Sequence, residues 1–131
     1  MVGRLSIVCA GLAVLLLAGC SGGSHPKQTV IGRDSARGKH ARVEATGSVA
    51  VAKGLSVQVS AQPRQRVTGT WTISCTAGSR GSARDGDDFG GRVPLAVPMR
   101  DVDFTLAKRC TVIADATLAQ SGRLDVEILE S

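Results

Sequence analysis

The fold of this chain is decided by the stretch Val67-Thr68-Gly69-Thr70-Trp71-Thr72-Ile73-Ser74-Cys75. Every odd position carries an apolar residue or glycine, and every even position carries threonine or serine. Side chains of a β-strand point alternately to its two faces, so a period of two indicates a strand with one buried face. The stretch therefore predicts a β-strand whose odd-numbered residues enter a core.

The same alternation recurs along the chain with few breaks. Pro94 and Pro98 interrupt one of the stretches, which is typical of an edge strand because proline cannot donate to a ladder. The predicted strands are 43–51, 55–59, 67–75, 93–97, 102–106, 110–118 and 124–128. About seven short strands without a helical pattern between them predict an all-β chain folded as a small antiparallel β-sandwich.

The amino-terminal segment has a different character. Arg4 precedes an apolar run from Leu5 to Ala18, which is too short to span a bilayer comfortably and has the length of a signal-peptide core. The run closes on Leu17-Ala18-Gly19-Cys20, and Ser21-Gly22-Gly23-Ser24 follow.

This arrangement resembles the lipobox of bacterial lipoproteins. The resemblance covers residues 1–20 and implies a signal peptide over 1–19, a diacylglyceryl group on Cys20 and cleavage before it. The implied location is the extracytoplasmic face of the cell membrane, or the outer membrane in a two-membrane organism. Cys9 would leave with the signal peptide. An ordinary secretory signal cut elsewhere and an uncleaved anchor are the alternatives.

An exported domain would hold two cysteines, Cys75 and Cys110, both in the apolar register of their strands. Thiols of small domains outside the cytoplasm usually pair, so we expect a disulfide between them, and we expect it to bridge the two sheets. The arrangement is similar to the immunoglobulin-like sandwich in architecture alone. In immunoglobulin domains the core tryptophan lies between the two cysteines, whereas Trp71 precedes both and is expected in the core.

Charge and composition divide the exported part of the chain into a basic linker and a domain. The whole chain has 16 basic and 11 acidic residues. Residues 20–42 read as the lipidated cysteine followed by a disordered basic linker, and residues 43–131 as the β-sandwich domain. The linker's cations, which could contact anionic headgroups or simply keep the segment solvated, are Lys27, Arg33, Arg37, Lys39 and Arg42. Nucleic-acid binding is not expected, because aromatic partners for bases are missing.

The longest stretch without a strand pattern is 76–91, which is rich in glycine, serine, arginine and aspartate. Loops of this length are usually functional or disordered, so a mobile solvated loop and a partner-binding loop are both open. A calcium loop is a weaker alternative, because the acidic run lacks the downstream glutamate of an EF-hand. The residues that could recognise a partner are Arg80, Arg84, Asp85, Asp87, Asp88 and Phe89.

Catalysis finds little support in the sequence. Both histidines, His25 and His40, fall in the predicted linker, and a serine or threonine nucleophile would need a positioned base. Five acidic residues occupy the polar positions of the predicted strands, where exposure on a solvated face is sufficient to explain them. They are Asp101, Asp103, Asp115, Asp125 and Glu127. We expect no enzyme, no cofactor and no metal site.

The sequence therefore predicts a membrane-anchored envelope lipoprotein whose β-sandwich is a binding module. Its partner would be an envelope protein, a cell-wall polymer or a small ligand. The alternative is a structural or accessory lipoprotein without a discrete ligand.

Overall fold

The computed structural model describes residues 28–106 and 109–131, which form a small β-sandwich of two four-stranded antiparallel sheets. A single 3₁₀ turn, Gly78–Arg80, interrupts the strands. Within these residues no helix has the length and apolar character needed to cross a bilayer. The strands are β1 Thr29–Lys39, β2 Arg42–Val49, β3 Leu55–Gln62, β4 Arg66–Thr76, β5 Ser82–Arg92, β6 Leu95–Pro98, β7 Arg109–Leu118 and β8 Ser121–Glu130.

The chain alternates between the two sheets. One sheet has the order β1-β8-β3-β6 and the other the order β2-β7-β4-β5. Only β4 and β5 are consecutive strands of one sheet, so every other connection crosses the sandwich. The short β6 lies at a sheet edge, which confirms the prediction made from the two prolines beside it.

The period-two prediction is confirmed for the central strands. In β4 the residues Val67, Trp71, Ile73 and Cys75 are buried, while their neighbours face outward. The same alternation holds in β2, β3, β7 and β8, whose buried faces form one continuous apolar cluster between the sheets. Trp71 is 2% exposed and belongs to this core, as expected.

The prediction of a disordered linker over 20–42 is wrong from Thr29 onward. Residues Thr29–Lys39 form β1, which pairs with β8 along its whole length, so the domain begins at Thr29 rather than at Val43. The strand was missed because β1 has no fully buried residue and therefore lacks the apolar alternation. Residues 20–27 lie outside the described residues.

The predicted loop over 76–91 is also largely a strand. Residues Ser82–Arg92 form β5 at the edge of the second sheet, in unbroken register with β4. Glycine and aspartate are poor strand formers, but the ladder of β4 supplies the hydrogen bonds that hold them extended. At this edge, pairing with β4 outweighs the low strand propensity of glycine and aspartate.

The predicted strand over 102–106 is wrong. Val102 makes one isolated bridge with Ala52, and the residues after it form a turn. The segment crosses from β6 at the edge of one sheet to β7 inside the other, so it meets no strand with which a ladder could extend.

The disulfide between Cys75 and Cys110 is confirmed, but its predicted position between the sheets is wrong. The two residues stand directly opposite each other on the neighbouring strands β4 and β7, with Cα atoms 4.1 Å apart. Both side chains are buried. The bridge therefore joins the two central strands of one sheet, near the last residues of β4 and the first residues of β7.

Candidate functional site

Two residues of the predicted recognition loop, Asp85 and Asp87, are held by one arginine. Arg100 donates from Nε and Nη2 to the two carboxylate oxygens of Asp85, both at 2.9 Å, and from Nη1 to Asp87 at 3.1 Å. Its Nη2 also donates to the carbonyl oxygen of Gly86 at 2.9 Å. The guanidinium carbon lies 5.2 Å from the ring centroid of Trp71, a cation–π distance. We call these five residues the Arg100 clasp.

The hydrogen bonds of the Arg100 clasp shift the pKa values of its three ionisable side chains. Hydrogen bonds from Arg100, and then from the Gly86 amide, hold the pKa of Asp85 below its ordinary value of 3.8. Arg100 and then the Asp88 amide do the same for the pKa of Asp87. The pKa of Arg100 is raised in turn, chiefly by its hydrogen bond to Asp85 and then by that to Asp87. All three groups therefore stay ionised at neutral pH.

The clasp protects the exposed edge of β5. The Gly86 amide donates to Asp85 and the Asp88 amide donates to Asp87, both at 2.8 Å. Gly86 and Asp88 are two residues apart, which is the spacing at which the outward peptide groups of an edge strand repeat. Native sheets use inward-pointing charges in this way to prevent edge-to-edge pairing. The arrangement explains why these aspartates lie together without requiring a ligand.

We expect Arg100→Gln to increase amide hydrogen exchange at Gly86 and Asp88 while leaving the centre of β7 unchanged. Since folding lowers the pKa of Asp85 and Asp87, their stabilisation is present above pH 3.8 and is lost as the pH falls through the folded-state values. Protection factors of β5 in the wild-type protein should therefore fall in acid, whereas those of the variant should be low throughout. Equal protection in both proteins at neutral pH would contradict this role.

The other predicted recognition residues are dispersed. Arg80 lies in the 3₁₀ turn, while Arg84 and Asp88 alternate with the clasp aspartates along β5. Phe89 stands opposite Gly69 and packs against the core. No described group of three or more histidine, cysteine, aspartate or glutamate side chains could hold a metal ion. The structure therefore does not bring the six residues together as one surface.

A shallow groove crosses the outer face of the first sheet. Its volume is about 610 Å³. Two ion pairs, Arg33 with Glu127 at 2.6 Å and Arg123 with Asp125 at 3.2 Å, lie along it. Because these charges neutralise each other in pairs, the groove offers little net charge to a ligand. The lining residues are Arg33, Gln58, Val59, Ser60, Pro94, Leu95, Ala96, Arg123, Asp125 and Glu127.

A stronger feature lies at one end of the sandwich, where segments 37–42, 62–66, 91–94 and 118–123 meet. We call it the basic end. These four segments contain seven lysine or arginine residues and no aspartate or glutamate. All seven are exposed, and they are Arg37, Lys39, Arg42, Arg64, Arg66, Arg92 and Arg123.

A buried glutamine ties the basic end together. Gln65 is 6% exposed and its side chain bonds to three other residues. Its amide donates to the carbonyl oxygens of Ser121, at 2.9 Å, and Pro63, at 3.2 Å, while its side-chain oxygen accepts from the Gln120 amide at 2.7 Å. Its backbone carbonyl accepts from the Val93 amide at 3.1 Å. The network joins three of the four segments, which carry Arg64, Arg66, Arg92 and Arg123.

The opposite end of the sandwich is where the described chain begins. Thr29 pairs with Glu130 there, and the Ser131 amide donates to Gly54. Because β1 has 11 residues, its far end at Lys39 lies about 33 Å away. We call this the Thr29 end. Among the described residues, the large apolar side chains that are exposed are Val30, Val51 and Leu106, and all three lie at this end.

The sequence could not have shown the basic end as a unit. Its cations come from four separate segments, and three of the seven fell within the predicted linker. The available signal was local: four of the cations lie directly before the start of a predicted strand, and they are Arg42, Arg66, Arg92 and Arg123. Cys20, the predicted lipidation site, lies outside the described residues.

The chain matches no family model and no curated protein, so its function has to be inferred from this geometry.

Proposed function

We propose that this protein is a lipid-anchored envelope protein, attached to the extracytoplasmic face of a bacterial membrane through Cys20, whose β-sandwich is a binding module. The observation that carries the proposal is the position of Thr29. It lies nine residues after Cys20, at the end of the sandwich opposite the basic end. An anchor at Cys20 therefore leaves the basic end directed away from the bilayer.

The dimensions support this orientation. Nine residues span at most about 31 Å even when fully extended, so the Thr29 end would stay near the membrane surface. The basic end would stand about 33 Å farther out, the length of β1. The exposed Val30, Val51 and Leu106 would face the headgroup region, where apolar side chains gain from burial.

The disulfide is compatible with export. Disulfides persist in oxidising compartments and are rare in the cytoplasm. Cys75 and Cys110 lie opposite each other in the core, where they pair without displacing the strands. The membrane would be a partner through the acyl chains on Cys20, and the sandwich would meet a second partner from the envelope.

Cys20→Ala tests the anchor, and Cys9→Ala is its matched control because both cysteines lie in the amino-terminal segment. The proteins would be expressed in bacteria supplied with an alkyne-bearing fatty acid, and the membrane and soluble fractions would be compared. We expect the label and the membrane association to be lost in Cys20→Ala and kept in Cys9→Ala. Unlabelled wild-type protein, or membrane-bound and labelled Cys20→Ala protein, would overturn the proposal.

A further inference from the structure

The basic end concentrates positive charge, whereas the other described residues include six basic and eleven acidic ones. Seven cations lie in four segments without a carboxylate, although the whole chain has 16 basic and 11 acidic residues. Of the seven, Arg42 reaches Asp115 at 3.6 Å and Arg123 reaches Asp125. The other five take part in no salt bridge within the part of the chain that the structure describes.

Two pairs of arginines at this end face each other across neighbouring strands. Arg37 stands directly opposite Arg123 in the first sheet, and Arg66 stands directly opposite Arg92 in the second. Like charges directly opposite each other destabilise a sheet. Folding gains nothing from either pair. Both occur at the same end of the molecule, one pair on the outer face of each sheet. Such an arrangement becomes favourable when an anion lies between the guanidinium groups.

The type of cation indicates the type of anion. Six of the seven residues are arginine, whose planar guanidinium matches the oxygens of a phosphate in bidentate fashion. The chain has three aromatic residues, Trp71, Phe89 and Phe104, and none lies in the four segments. The large aromatic side chains on which the bases of single-stranded nucleic acids stack are therefore absent from the basic end. The chemistry favours a polymer that presents phosphate groups alone.

We propose that the basic end binds a linear phosphate polymer, such as a polyol-phosphate chain of the cell envelope. The Gln65 network joins three of the four segments, and backbone hydrogen bonds between His40 and Gln120 and between Leu118 and Ala41 tie in the fourth. The backbone positions that carry the cations are therefore fixed before the polymer arrives. That the polymer belongs to the envelope rests on the proposed function. The recognition itself does not, because it depends on the cations alone.

The direct test uses the full-length protein in a nonionic detergent, with long-chain inorganic polyphosphate as the probe. Each phosphate neutralised contributes about −0.7 to the slope of log affinity against log salt for a single strand. Engagement of five to seven cations should therefore give a slope of about −3.5 to −5. Absence of binding at moderate salt would overturn the inference while leaving the lipid-labelling result of Cys20 untouched.

A charge-matched pair of variants separates the site from net charge. Arg66→Gln with Arg92→Gln should weaken polyphosphate binding about tenfold and flatten the slope by about 1.4, while Tm stays unchanged or rises because the like-charge pair is gone. Lys53→Gln with Arg109→Gln removes the same charge at the Thr29 end and should alter affinity less than twofold. Equal losses in the two double variants would show diffuse charge attraction and overturn the proposal.

Two further probes separate other sources of phosphate. Single-stranded DNA and phosphatidylglycerol, the lipid carried in micelles of the same detergent, would be compared with polyphosphate at equal phosphate concentration, with phosphatidylcholine micelles as the zwitterionic reference. We expect polyphosphate to bind most tightly. Tighter binding of DNA would identify a nucleic-acid site, and tighter binding of the anionic micelles would identify a membrane surface; either result would overturn the inference.

Discussion

Replacing both cysteines by alanine, Cys75→Ala with Cys110→Ala, is expected to lower the free energy of unfolding by about 4 kcal/mol. The two residues are 35 apart in sequence, and closing a loop of that length removes about 3.8 kcal/mol of chain entropy from the unfolded state. The effect is large against the stability of a small domain, which is commonly 5–15 kcal/mol in order of magnitude. Urea unfolding followed by Trp71 fluorescence measures it.

Reduction of the wild-type protein is the control for this variant. Reduced protein keeps both side-chain volumes, so its stability should agree with that of the double variant to within about 1 kcal/mol, the difference reflecting the sulfur atoms removed from the core. A loss below 1 kcal/mol in both experiments would mean that the pairing of β4 with β7 persists in the unfolded state. The disulfide would then contribute little to the stability of this sheet.

The central strands could be predicted from the sequence because both of their neighbours are strands and one face is buried. In β4, β7 and β8 burial forces apolar residues into every second position, and that period is visible in the letters. The pairing of Cys75 with Cys110 could be predicted for the same reason, since both occupy the apolar register. That the two cysteines lie in the same sheet could not be predicted, because a local pattern of residues does not reveal the order of the strands in a sheet.

The edge strands β1 and β5 could not be predicted. The edge strand β2 buries every second residue and shows the apolar alternation, whereas β1 and β5 have no fully buried residue, so their sequences are polar and irregular. β1 reads as a basic linker and β5 as a glycine- and aspartate-rich loop, yet both follow their partners through a full ladder. The missing signal in β5 is Arg100, which lies 13 residues beyond Asp87 and makes its aspartates compatible with a strand.

The basic end shows the same limit for a site. Its seven cations become neighbours through the crossings between sheets, which bring four chain reversals to one end. The sequence predicted a basic linker, whose cations could contact anionic headgroups or simply keep the segment solvated. Once β1 is a strand, Arg37 and Lys39 stand at the far end of it, and the same charges face away from the proposed anchor.

Gly69→Ala is expected to cost about 3 kcal/mol, although it adds one methyl group to a strand. In β4 the added Cβ would meet the Asp115 carbonyl oxygen of β7 on one side. On the other side it would lie 2.5 and 2.9 Å from two carbon atoms of the Phe89 ring. Real Cβ atoms do not approach other atoms so closely, so the β7 backbone and the Phe89 ring would both have to move. Overpacking of this kind typically costs about 1–3 kcal/mol or more.

Gly90→Ala is the matched control, because it lies in the same ladder next to Phe89 and its added Cβ would meet ordinary contacts of 3.4 Å or more. Chemical unfolding of both variants should show a loss at least 2 kcal/mol larger for Gly69→Ala, on the scale of overpacking. A second cycle with Phe89→Ala separates the two obstacles. Removing the ring should recover part of the stability lost in Gly69→Ala. The remaining loss should persist, because the Asp115 carbonyl still blocks the added Cβ. Since Phe89 covers Gly69 in place of a side chain, full recovery would mean that the β7 backbone yields and that the ring alone excludes a Cβ at this position.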